Sequence, residues 1–395
     1  MREHNLASRR VYFAVFGSGL GHAVRTLEIA RLLPKAEYQV RYSSSGQGLH
    51  HLQVKGEGEQ TEASPPLDVE WAGGGFSSHK VLPRFPFTLN AFLKQLAFER
   101  NAIARFDPDV AVSDSKLSVV FAAKSKGCPV ITMLNQFNVL FPPRFRRKSG
   151  IMYERTAGEA LGLMWSLSDR VLMTDLPPPY TIGEENLSAS SMSRIAEFVG
   201  FTVPRVTAGD DRLQKAREAL SLDGRPLVFC PISGPDATKG LFAETLLRTA
   251  GDIARRFNFV VSMGYSGGST EPKKLAPGVW LYDWCPIKDE LFQLSEMVVA
   301  RAGLSTIAQC IYHSKPAVLV PIHNHPEQIS NAEKFGRLGL GRDIRAERLT
   351  PQVLLESLES LVDDPGYMKR LEEVNAVSDR YNGVERCAEI IRSFA

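Results

Sequence analysis

Apolar residues along this chain fall in short blocks separated by polar, helix-spaced stretches. Val11–Phe16, Tyr38–Ser43, Val110–Val112, Val130–Leu134 and Arg170–Thr174 are compact runs bounded by turn residues, as strands buried on both faces should be. Between them Ala23–Leu33, Leu89–Phe106 and Ser118–Lys126 have helical spacing. Such alternation predicts a doubly wound parallel α/β sheet. The pattern then resets. "VGFTVPRVTAGDDR" (199–212) mixes Pro, Gly and Asp as a linker does. A second α/β series follows: "PLVFCPISG", a helix near Leu241–Arg256, "FNFVVSMG", "VWLYDW", "MVVARAG", a helix from Thr306, and "PAVLVPI". The expected organisation is a first domain over 1–203 and a second over 204–377. A terminal helix over 378–395 is expected to pack back on the first domain. The fold class is therefore α/β, two doubly wound Rossmann-like domains facing a cleft. Ligands of such sheets bind outside the carboxyl ends of the strands, so the loops there carry the interest.

Composition narrows the setting. A chain of 395 residues, 44% apolar and 23% charged, fits a two-domain globular protein. No apolar run approaches the length of a transmembrane helix. The polar start "MREHNLASRR" leads straight into a strand, which argues against a signal peptide. The five cysteines are scattered and mostly inside apolar runs. They read as reduced core thiols of a cytosolic protein, without a disulfide frame or a CxxC metal knuckle. A net charge of +3 is too small to imply nucleic acid, so any basic patch is local.

The stretch "FGSGLGHAVRTLEIA" (16–30) sets glycines at 17, 19 and 21 directly before His22. A dinucleotide fingerprint needs glycine where His22 stands, and an acid at the end of the second strand, which instead reads "YSSSG". A phosphate P-loop needs GK[ST], which is absent. Two readings are left. His22 is a helix cap or packed ring, or it is a base displayed at a helix N-terminus. There the positive end of the helix dipole favours a neutral imidazole able to accept a proton.

The second half supplies a context. "SEMVVARAGLSTIAQCIYHSKPAVLVPIHNHPEQISNAEKFGRLGLG" (295–341), taken with the glycine–histidine loop, resembles the GT-B glycosyltransferases, in particular the MurG-like branch that makes lipid II. Matching its motifs are Arg301, Ala302, Gly303, Thr306 and Gln309, then Pro321, Glu327 and Gln328. "AEFVGFTV" resembles that branch's entry to its interdomain linker.

The resemblance makes the first domain acceptor-binding and the second donor-binding. It implies that Gly19 and Gly21 contact a nucleotide-sugar donor, most simply a UDP-sugar, and that Ser233, Gly234 and the 301–309 stretch hold its diphosphate. Ala302–Gly303 follows a strand and opens a helix, so free N–H groups can face a pyrophosphate without metal. Asp107-Pro108-Asp109 spells DxD but reads more plainly as a turn before a strand, so no cofactor and no metal is expected. By the same resemblance Trp284 stacks on the base while the backbone near Ile287 reads its edge, and Glu327 with Gln328 binds sugar hydroxyls. Gln309 stands where relatives place a ribose-gripping glutamate, which exchanges a charge-assisted bond for an amide bond. His323 and His325 lie in the same loop without an evident third metal ligand.

For catalysis the resemblance implies His22 as general base and Asp114 as its partner, in an inverting hexosyl transfer. Asn135 and Gln136 stand where that branch carries an acid, and neither amide can be a base. Acceptor contacts are expected from Asn135, Gln136, Phe141, Arg144 and Arg146. The last three lie in "NVLFPPRFRRKSGIMYER" (138–155), where aromatics alternate with cations. "VLPRFPFTLNAFLKQLAFER" (81–100) has the same character. Such segments suit a lipid or lipid-linked acceptor at the cytoplasmic face of an anionic membrane. An ordinary loop and amphipathic helix is the plainer account. Rival functions are a nucleotide-sugar hydrolase of the pseudaminic-acid type, a non-hydrolysing epimerase, and a nucleotide-sugar-binding subunit without chemistry. The aromatic–basic segments favour transfer over hydrolysis. An epimerase would need more carboxylates than Glu327, and the presence of both halves argues against a lone binding subunit.

Overall fold

The computed structural model describes residues 8–395 apart from 19, 68–70, 73–74, 77–84, 137–139, 141–147, 188–193 and 266. The chain divides into two units, with breaks after Pro204 and after Arg380.

The first unit is built on β1 (Arg9–Val15), α1 (Gly21–Arg31), β2 (Tyr38–Ser44), α2 (Gly46–Leu52) and β3 (Thr61–Ala63). Two short strands follow, β4 (Trp71–Ala72) and β5 (Gly75–Phe76), which group with the second unit. Then come α3 (Phe85–Phe106), β6 (Val110–Asp114), α4 (Leu117–Ser125), β7 (Val130–Leu134), α5 (Lys148–Trp165), β8 (Arg170–Met173) and β9 (Ala196–Phe198). The sheet runs β3-β2-β1-β6-β7-β8-β9 with every pair parallel.

Alternation along β1 explains its two layers. Val11, Phe13 and Val15 face a core shared with Leu27 and Ile29 of α1. Tyr12 and Ala14 face another, shared with Ala102 of α3 and Val119 and Val120 of α4. The terminal segment returns to the first of these layers. Cys387, Ala388, Ile390 and Ile391 are buried in the α1 core, on the last helix of the chain (Gly383–Phe394).

The second unit contains α6 (Asp210–Ala219), β10 (Leu227–Pro231), α7 (Gly240–Ile253), β11 (Asn258–Ser262), β12 (Lys273–Ala276), β13 (Val279–Tyr282) and α8 (Lys288–Leu294). It continues through β14 (Met297–Ala300), α9 (Leu304–Tyr312), β15 (Ala317–Leu319), α10 (Pro326–Arg337), β16 (Gly341–Asp343), α11 (Pro351–Asp363) and α12 (Gly366–Ser378). The returning terminal helix is α13. The second sheet runs β12-β13-β11-β10-β14-β15-β16, parallel except at β12.

Both sheets reverse direction of growth at one place, between β1 and β6 in the first and between β10 and β14 in the second. At such switch points the loops leave to opposite sides and open a crevice at the strand ends. Expected site residues stand at both.

Candidate functional site

At the first switch point the Phe16 N–H donates to the Asp114 carbonyl at 3.1 Å, extending the Val15–Asp114 pairing past the last strand residue. Gly17 follows where no side chain fits. A Cβ there would lie 2.2 Å from Ser45 Oγ and 2.4 Å from the Ser45 carbonyl. The Gly17 carbonyl accepts from the Gly48 N–H at 3.1 Å, which pins the loop to α2. Helix α1 then opens at Gly21 with no side-chain cap, so His22 is its second residue. His22, Arg25 and Thr26 share one face at helical spacing, and that face lies over the end of β6.

There Asp114, wholly buried, collects them. His22 Nδ1 lies 2.7 Å from Asp114 Oδ1. Arg25 Nε donates to Oδ2 at 2.7 Å, and a second guanidinium nitrogen donates to Oδ1. The Thr26 hydroxyl donates to Oδ2 at 3.1 Å. Burial by itself would raise this carboxyl, but the charge of Arg25 and the hydrogen bonds from Arg25 and His22 outweigh it. They hold Asp114 well below the usual carboxylate range. An ionised carboxylate only accepts, so Nδ1 carries the proton and Nε2 is the basic nitrogen. Phe16 packs edge-on against the ring at 5.4 Å between centroids, and 17% of the His22 side chain reaches solvent. Arg25 also donates to Thr174 Oγ1 at 3.2 Å, bridging the ends of β6 and β8.

At the end of β7, Asn135 is half-buried with its Oδ1 unpartnered among the described residues, and Gln136 is exposed. Gly21 is exposed at the helix start. Gly19, Phe141, Arg144 and Arg146 lie outside the described residues.

The second switch point is made of backbone. After β10, Ser233 is half-buried, and Gly234 is exposed at φ +104°, a conformation that side chains resist. After β14, buried Ala302 leads to Gly303, the N-cap of α9. Gly303 has an ordinary extended backbone, and a Cβ placed on it would meet nothing within 4 Å. No side chain caps the helix, so its first N–H groups have no side-chain acceptor, the arrangement that suits an anion. Thr306 is half-buried in that first turn, and Gln309 is buried one turn on.

Arg301 differs from the expected ligand contact. Its guanidinium points inward, donating to the carbonyls of Val320 at 3.2 Å, Pro321 at 3.3 Å and Thr238 at 2.9 Å. It also stacks 4.2 Å above the Phe242 ring. Burial pulls it down to about 10, so it stays charged at neutral pH, with carbonyl dipoles in place of a carboxylate. It clamps the loop after β10 to the ends of β14 and β15. Gln328 is likewise turned inward, its Oε1 accepting from the Ile322 N–H at 3.0 Å, while Glu327 is half-buried beside it. Trp284 and Ile287 are half-buried after β13, and the Trp284 N–H donates to the Ser269 carbonyl at 3.0 Å.

The two loop histidines have protein partners. His325 caps α10 by accepting from the Gln328 N–H at 3.4 Å, and burial lowers it to about 4. His323 pairs with Glu347. Asp107 accepts from the Arg10 guanidinium at 2.8 Å and Asp109 from the Arg10 N–H at 2.6 Å, as turn carboxylates do. No group of three or more His, Cys, Asp or Glu among the described residues is placed to hold a metal ion.

Four side chains here were not singled out from the sequence. Arg25 and Thr26 were visible as i+3 and i+4 neighbours of His22, but Thr174 is reached only through the sheet. Asn331, one turn beyond Gln328, donates to the Ala302 carbonyl at 3.2 Å and ties α10 to the α9 loop.

The chain matches the model of glycosyl transferase family 1 over residues 9–153 and that of the glycosyltransferase family 28 C-terminal domain over 241–386. It is 23% identical over 393 residues to an uncharacterized glycosyltransferase of Methanosarcina acetivorans, covering 97% of each chain. It is 26% identical over 376 residues to a Thermotoga neapolitana protein, covering 92% of this chain and 95% of the other. That relative is a UDP-N-acetylglucosamine–N-acetylmuramyl-(pentapeptide) pyrophosphoryl-undecaprenol N-acetylglucosamine transferase. Its fold matches the crystal structure of Acinetobacter baumannii MurG with a TM-score of 0.63 at 15% identity, over 98% and 99% of the two chains. This protein is a GT-B glycosyltransferase of the MurG-like branch. Its matched segments hold the parts described above. His22 and Asp114 fall in 9–153, and the uncapped α9 with Asn331 falls in 241–386. The matched family models and relatives are all glycosyltransferases.

Proposed function

We propose that this glycosyltransferase transfers a hexosyl group, with inversion and without metal, from a UDP-sugar to a hydroxyl of a lipid-linked acceptor. His22 is the general base. The carrying observation is the 2.7 Å contact from His22 Nδ1 to a buried, ionised Asp114, which leaves Nε2 to face the acceptor. Nε2 takes the hydroxyl proton as the acceptor oxygen bonds to the anomeric carbon. The bond from that carbon to the diphosphate breaks, and its electron pair leaves with the nucleotide. Asp114 stabilises the imidazolium that forms, an effect of about 10²–10⁴-fold for a positioned base. The α9 N–H groups and helix dipole meet the developing negative charge of the leaving group.

Support for a lipid-linked acceptor comes from two helices of the first unit that flank α4. Phe87, Leu89 and Leu93 on α3 and Ile151, Met152, Tyr153 and Leu163 on α5 are exposed. These apolar side chains suit peripheral contact with a lipid surface. No helix among the described residues is long and apolar enough to cross a membrane.

The test is thermal unfolding with UDP, dTDP, GDP and ADP, with and without divalent metal, followed by turnover of wild type and His22→Gln. A ligand of the folded state raises stability by RT ln(1 + [L]/Kd). The expected result is a metal-independent shift with UDP and turnover at least a hundredfold lower in His22→Gln, its nucleotide shift intact. Undiminished turnover in that variant would overturn the assignment of the base. A shift with another diphosphate alone would replace the donor.

A further inference from the structure

Arg25 is an arginine only 7% exposed, inside a helix whose other inward residues are mostly apolar. It contacts both Asp114 oxygens, reaches Thr174 Oγ1, and brings one nitrogen within 3.0 Å of His22 Nδ1. That nitrogen and Nδ1–H are both donors, so they do not bond to each other. They share Asp114 Oδ1. The consequence is electrostatic. A histidine beside an unpaired carboxylate gains a full counter-charge when it takes up a proton. His22 gains less, because the carboxylate is already paired and the guanidinium repels the new charge.

We propose that Arg25 is a positioning residue that aligns the Asp114 carboxylate for His22 and offsets part of the counter-charge that Asp114 offers the ring. This deepens the function proposed above and rests on His22 being the base. The elements packed around the cluster supply no competing cation in contact with it among the described residues. On α13, Cys387 is an uncharged thiol pushed up to about 12 by burial, and Arg386 pairs with Glu197 and Glu389. Helix α2 carries His50 and His51, and α1 itself carries Glu28 paired with Arg31. Beyond β8, Asp175 accepts from the N–H groups of Leu176, Ile182 and Gly183.

The experiment is the pH profile of kcat/KM for wild type, Arg25→Lys and Arg25→Gln, with hydrogen exchange in the first unit confirming that each is folded. Arg25→Gln is expected to move the acidic limb upward by about one pH unit or more, the size of effect a neighbouring charge has. Arg25→Lys keeps the charge and should leave the limb near wild type while lowering kcat through lost alignment. A purely structural Arg25 would lower activity in both variants and move neither limb, which overturns the proposal. Should Arg25→Gln not fold, the ¹⁵N spectrum of the His22 ring in wild type decides. A neutral ring carrying its proton on Nδ1 supports the alignment, and one carrying it on Nε2 overturns it. Failure of the underlying function is distinguishable, because it would appear as turnover retained in His22→Gln.

Discussion

The switch point between β1 and β6 and that between β10 and β14 occupy equivalent places in two sheets of like strand order, yet they are built from opposite materials. The first is a set of side chains, with His22, Arg25 and Thr26 brought by one helix face onto a buried carboxylate. The second is mainly backbone, an uncapped helix with open space before Gly303, braced from behind by Arg301, Gln328 and Asn331. Moving a proton needs a titratable ring with a defined tautomer, which only side chains provide. Holding a diphosphate needs several fixed donors close together, which a helix N-terminus supplies without burying a charge. On the proposed function, the polar side chains of the second unit brace the helix start and need not touch the diphosphate.

The sharpest way to break this contrast is Asp114→Asn. It removes the charge that Arg25 faces, so the first unit is expected to lose about 3–5 kcal/mol, as when one partner of a buried ion pair is deleted. Turnover should vanish while nucleotide binding persists in whatever remains folded. Chemical denaturation followed by hydrogen exchange in each unit measures this, and an unchanged first unit would mean that Asp114 does not hold the cluster. Gly303→Val is the mirror experiment. Its side chain enters open space, so the cost should be that of an apolar N-cap alone, about 1 kcal/mol. Nucleotide affinity should nevertheless fall at least tenfold by calorimetry. Wild-type affinity would place the diphosphate elsewhere.

Gly17→Ala tests how far the first site depends on its loop. The added carbon meets the Ser45 backbone, and a cost of about 1–3 kcal/mol is expected in thermal unfolding. The smallest effect separates the units by acidity. Burial holds His325 at about 4, and burial with Lys315 and Arg205 holds His313 at about 4, both below the ordinary histidine value. Their unfolded forms take up protons first, so the second unit should lose stability as pH falls from about 6.5 toward 4. Asp114 is shifted below its unfolded value, so its contribution is complete above the usual carboxylate range and is lost only beneath it. Hydrogen exchange at pH 5 should therefore quicken in the second unit before the first, and His325→Asn should reduce the difference.

Much of this molecule follows from its sequence alone. Short apolar blocks alternating with helical spacing dictate two doubly wound sheets, because a strand buried on both faces and an amphipathic helix each have a local signature. The glycine loop before His22 and the Ala302–Gly303 turn into α9 were visible for the same reason, since both depend on adjacent residues. Helix α5 was not legible at its true extent, because its start lies in a run of aromatics and cations that reads equally as a loop. Tertiary structure alone decided who meets whom. Arg25 and Asp114 are 89 positions apart and are joined only because strand order sets β6 beside β1. Arg301 stands in a motif that suggests a ligand contact, and packing turned it inward, where three carbonyls and an aromatic ring make burial of its charge tolerable. Local pattern determines which element a residue joins. The direction in which a long charged side chain points is set by the partners that the fold brings within reach.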